Sequence, residues 1–73
     1  DLVASKDHET IAIEIETGKS DIKRNISKAL KIFQRLFIIT TNPTAEVLAR
    51  EIADKIAGQR RKGVEIIPAK DLD

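Results

Sequence analysis

Glu14 and Glu16 stand one residue apart in the run IAIEIETGKSD. In an extended strand alternate side chains project to the same side, so this spacing gives two carboxylates one face. If Asp7 and His8 form the two-residue turn of a hairpin, Lys6 faces Glu9, Ser5 faces Thr10, and the pairing carried outward sets Asp1 opposite Glu14. Three carboxylates then converge. They repel one another unless a cation sits among them, and an all-oxygen donor set favours Mg²⁺ or Mn²⁺ over zinc. The same register gathers Leu2, Ala4, Ile11, Ile13 and Ile15 on the opposite face, whereas a slip of one residue would scatter them. Alternating Glu and Ile is equally the pattern of a half-exposed strand with solvated glutamates. The pattern alone leaves a metal site and a solvated face both open.

A competing chemistry starts in the same stretch. Gly18, Lys19 and Ser20 follow the isoleucine run and precede a helix, as in a phosphate-binding loop. Such a loop needs a glycine five residues earlier, where the backbone curls round phosphate. That position is Ile13, still inside the alternating run, so nucleotide binding by this segment is excluded on spacing. His8 falls in the expected turn with nothing nearby to complete a triad, and reads as solvent-exposed.

The elements that must hold these residues follow from periodicity. Residues 2–5 and 10–16 read as strands joined by the polar cluster Lys6, Asp7, His8, Glu9. Ser20 is the expected N-cap of a helix with Asp21 in its first turn, and Ile22, Ile26, Ala29, Leu30 and Phe33 recur at helical spacing. Residues 36–40 form a short apolar run, expected to be a strand buried on both faces. Asn42 and Pro43 open a second helix whose expected buried stripe is Leu48, Ile52 and Ile56, with Glu46–Arg50 and Glu51–Lys55 pairs on its wet side. A last strand, 64–67, follows Gly63. The order is a β-hairpin followed by helix, strand, helix, strand, which predicts an α/β fold: a mixed sheet with helices packed on it. Right-handed crossovers make the later strands parallel to 10–16.

Length and composition bound the rest. Seventy-three residues with 41% hydrophobic and 34% charged side chains describe one small globular domain, 1–73, of modest stability, expected to be a module of something larger. There is no cysteine, hence no disulfide or thiolate metal site, and no apolar run long enough to span a bilayer. With nothing resembling a signal peptide, a cytoplasmic location is expected. Net charge is only +1, yet Lys23, Arg24, Lys28 and Lys31 crowd the helix after the glutamates, where DNA phosphates are expected to sit. Arg60, Arg61 and Lys62 form a second cluster, read as partners of a helix C-terminus. Tryptophan and tyrosine are absent and both phenylalanines are expected in the core, so no platform for stacking single-stranded bases is foreseen.

Asp1, a hairpin, then Glu14-Ile15-Glu16 before a helix resembles the PD-(D/E)xK nuclease superfamily, also called restriction-endonuclease-like. The resemblance spans essentially the whole chain. It implies that Asp1 and Glu14 hold a catalytic Mg²⁺ or Mn²⁺, and that Glu16 stands where lysine is usual. Glu16 would orient or deprotonate the attacking water, and Lys19 would stabilise developing negative charge. The family's leading helix, first strand and the proline before its Asp have no counterpart here, so the resemblance implies a fragment of that core. The implied function is metal-dependent hydrolysis of DNA phosphodiesters. Two alternatives stand beside it: a non-catalytic nucleic-acid or protein interaction module of a larger DNA-processing ATPase, and a purely structural α/β piece. The implied partners are DNA and either a second copy, as a homodimer, or the rest of a longer chain.

Overall fold

The computed structural model describes residues 2–6, 9–19, 21–56 and 58–72. Among them lie strands β1 (Leu2–Lys6) and β2 (Glu9–Glu16), helix α1 (Ile22–Ile32), strand β3 (Arg35–Thr40), helix α2 (Pro43–Ile56), a 3-10 segment (Gly58–Gly63), strand β4 (Val64–Pro68) and a closing 3-10 turn (Ala69–Asp71). The strands make one sheet in the order β1-β2-β3-β4, with β1 antiparallel to β2 and the other pairs parallel. The hairpin register is the expected one, Lys6 opposite Glu9, Ser5 opposite Thr10 and Leu2 opposite Ile13. Asp1, Asp7 and His8 lie outside the described residues, and with them the turn and the expected pairing of Asp1 with Glu14.

Both crossovers advance across the sheet in the same direction, so two right-handed connections put both helices on one side. That side carries the core: Ala12 of β2, Leu36 and Ile38 of β3, and Val64 and Ile66 of β4 pack with Ile22, Ile26, Ala29 and Leu30 of α1 and Ala49 and Ala53 of α2. The other side of the sheet has no helix. Strand β3 is therefore buried on one face rather than on both: Leu36, Ile38 and Thr40 are buried while Arg35, Phe37 and Ile39 are half-exposed.

Three local expectations need correction. The described cap of α1 is Asp21, whose Oδ1 accepts the Arg24 N–H at 3.1 Å; Ser20 lies outside the described residues. The buried stripe of α2 is Ala45, Ala49 and Ala53, each fully buried, while Leu48 is 38% exposed and Ile52 packs only at the margin. Small side chains let the helix axis approach the sheet closely, and larger residues one position away are pushed outward. The Ile56 side chain lies outside the described residues. Finally, Arg60, Arg61 and Lys62 follow α2 in the 3-10 segment instead of closing it. The remaining capping is as expected: Asn42 Oδ1 accepts the Ala45 N–H at 2.8 Å, Pro43 opens α2, and Glu46 pairs with Arg50 at 3.0 Å. No described helix is long and apolar enough to cross a membrane.

Candidate functional site

β2 turns Ala12, Glu14 and Glu16 toward the helices and Ile11, Ile13 and Ile15 away from them. The two glutamates are thus not solvated: Glu14 is 8% exposed and Glu16 is fully buried, so it is the isoleucines of β2, not these two glutamates, that face outward. A carboxylate taken out of water must be compensated, and each of the two meets a different environment.

Glu16, at the carboxyl end of β2, lies beneath α1. Its Oε1 accepts a hydrogen bond from Asn25 Nδ2 at 3.2 Å, and its backbone carbonyl accepts from the Thr41 N–H at 3.1 Å. Asn25 is a functional candidate that motif reading passes over. A signal for it exists in the sequence: with Ile22, Ile26 and Ala29 it makes the spacing of one buried helical stripe, in which a lone amide needs a polar partner.

Glu14 faces a groove between β1 and α1, about 160 Å³ in volume, whose other walls include Val3, Ala12, Lys28 and Ile32. Burial raises the Glu14 pKa above the ordinary glutamate value; the nearby Glu16 charge pushes it further up and Lys28 pulls it back. Lys28, expected on a phosphate-binding surface, is therefore also a cation near Glu14.

Lys19 sits in the exposed loop after β2, where Gly18 adopts φ +88° and the Lys19 N–H donates to Thr17 Oγ1 at 3.4 Å. That left-handed residue turns the chain from strand toward helix. The loop belongs to the same sheet edge as Glu16, at the carboxyl end of β2. Ile13, where a phosphate loop would need its first glycine, is within β2. Of the basic residues on α1, Arg24, Lys28 and Lys31 recur at i, i+4 and i+7 and make one exposed stripe; Lys23, also exposed, is offset from it. The second basic cluster is tied to the backbone: Arg60 donates to the Phe33 carbonyl, and Arg61 bonds Asp54 and the Val64 carbonyl, both at 2.7 Å. These bonds, rather than a helix terminus, account for Arg60 and Arg61.

The expected three-carboxylate cluster is represented by two members, because Asp1 lies outside the described residues. Among those described, no three metal-ligating side chains converge. No protein-family model, curated protein or solved structure matches this chain.

Proposed function

We propose that the chain is a metal-dependent nuclease domain that hydrolyses DNA phosphodiester bonds. The observation that supports this reading is the pair Glu14 and Glu16, held on one buried side of β2 with a basic helix directly above them. Their donor chemistry suits Mg²⁺ or Mn²⁺: oxygen ligands only, with Glu14 disfavoured as an anion by burial and by its neighbour, at the wall of an open groove. Glu14, with Asp1, would hold such an ion, which when bound supplies Lewis-acid activation of phosphate and water. Glu16, fixed by Asn25, orients Glu14's surroundings and the attacking water. Lys19 contributes positive charge at the strand end, and the Arg24, Lys28, Lys31 stripe holds backbone phosphates without reading bases.

A second reading is favoured by the complete burial of Glu16, which keeps that carboxylate from solvent. In it the same surface binds nucleic acid or protein without turnover. Cleavage of duplex, branched and single-stranded DNA with Mg²⁺ or Mn²⁺ separates the two. The nuclease reading expects Glu14→Ala and Lys19→Ala each to lower cleavage by about 10²-fold or more while DNA affinity holds. Neutralising Arg24, Lys28 and Lys31 should instead weaken all sequences alike and flatten the slope of log affinity against log salt by roughly 0.9 for each phosphate no longer neutralised. A wild-type protein that binds but cleaves none of these substrates favours the interaction module.

A further inference from the structure

The broadest unexplained surface is the side of the sheet that carries no helix. Among the described side chains three rows cross it, read from the strand pairing: Ile11 and Arg35; then Leu2, Ile13, Phe37 and Glu65; then Ile15, Ile39 and Ile67. All but Glu65 are apolar or half of a cation–π contact. Leu2 is 56% and Ile15 53% exposed, while Phe37, Ile39 and Ile67 are half-exposed. Isolated apolar residues on a surface are ordinary, but a contiguous patch of this kind marks an interaction site. The charges on these rows are Arg35, which lies over the Phe37 ring at 5.3 Å, and Glu65.

We infer that this face is a homodimer interface, in which the sheets of two copies pack against each other about a two-fold axis. Three observations choose a second copy as the occupant. The first is area. The molecule is a slab of 33 × 29 × 18 Å, one sheet and one helix layer thick, and its broad side is large enough for the ~800 Å² per partner that stable interfaces bury.

The second is charge. With strands ~4.8 Å apart and ~3.3 Å rise per residue, Arg35 and Glu65 are related across a diagonal line that crosses the middle row between Phe37 and Ile13 and passes close to both. A two-fold axis along that line sets Arg35 of each copy against Glu65 of the other, which places opposite charges face to face at two equivalent points. The third is apolar fit. The same axis stacks Phe37 and Ile13 on their own equivalents and puts Ile15 opposite Leu2, so no charge lands on an apolar centre. Strands of the two sheets then cross at about 70°, nearer the orthogonal than the aligned arrangement of sheets packed face to face.

The pairing of Arg35 with Glu65 makes the inference testable by charge exchange, without DNA or metal. Sedimentation across a dilution series should give the wild-type chain a mass twice 8.1 kDa that falls to the monomer on dilution. Arg35→Glu and Glu65→Arg should each weaken the dimer about tenfold or more, since each puts like charges opposite twice. The double variant Arg35→Glu/Glu65→Arg should recover most of that affinity. Ile15→Lys should dissociate the dimer, whereas Lys23→Glu on the helical side should leave it intact. Melting under dilute, monomeric conditions verifies that every variant folds. A wild-type chain that stays at 8.1 kDa at every concentration overturns the inference and leaves the face to another partner. A double variant no tighter than either single variant overturns the proposed axis.

Discussion

The two sides of this sheet differ in an unexpected sense. The side covered by helices buries two glutamates and the Thr40 hydroxyl, which finds no hydrogen-bond partner among the described residues, whereas the uncovered side presents Leu2, Ile13, Ile15, Phe37, Ile39 and Ile67. The polar groups of the covered side gather toward the carboxyl ends of β2 and β3; the apolar core proper, built on Ala12, Leu36, Ile38, Val64 and Ile66, occupies the remainder. Polarity placed inside at an energetic cost has a reason when it does chemistry, and apolar surface left outside has one when it binds. The contrast teaches that burial in this chain does not follow hydropathy alone.

The sharpest way to break that contrast is to truncate equivalent side chains on the two sides. Leu36→Ala, in the sealed core, should cost ~2–5 kcal/mol in urea unfolding, while Ile39→Ala, on the half-exposed side of the same strand, should cost distinctly less when the chain is dilute. Equal destabilisation would mean that the uncovered side is packed like a core even in a single copy.

Next in size is the support of Glu16. Asn25→Ala removes a hydrogen bond to a fully buried carboxylate and should lower stability by ~1–3 kcal/mol. Asn25→Asp should be worse than Asn25→Ala, because it sets a second anion beside the first. A neutral outcome for both would show that Glu16 does not depend on α1.

The smallest effect is a gain. Because the folded-state pKa of Glu14 lies above its unfolded value, the native state prefers the protonated carboxyl. The stability this group contributes is therefore complete below the unfolded pKa and is lost as pH rises through the folded one. Glu14→Gln should raise the melting midpoint at neutral pH and remove that part of the decline between the two values. Thermal scans of both proteins from acid to neutral pH check it; an identical pH dependence would put Glu14 in a more aqueous setting than its burial indicates.

Much of the architecture is legible in the residues. Apolar alternation fixes the hairpin register, and helical spacing of Ile22, Ile26, Ala29 and Leu30 finds the buried side of α1. Alternation tells which side chains of β2 share a face, but not which face is covered. Helix placement is decided by the sense of two crossovers, a property of the whole chain. On α2 hydropathy points beside the buried stripe, because Leu48 and Ile52 stand out as apolar while close helix–sheet packing selects Ala45, Ala49 and Ala53 by size. The glutamate pair is visible in IEIE, but its partners are not: Asn25 and Lys28 approach it only through the packing of α1 over β2.

Spatial order in the sheet equals order along the chain. Every strand therefore joins the edge left by the one before it, and none has to be threaded between two already paired. The hairpin closes the shortest loop, while each parallel pairing joins residues 24 or 28 apart, Ile11 with Arg35 and Leu36 with Val64, so the hairpin is the pairing with the lowest closure-entropy cost. Among the described residues β4 is the outer edge of the sheet, and its final residue, Pro68, has no N–H to offer a neighbouring strand at that end.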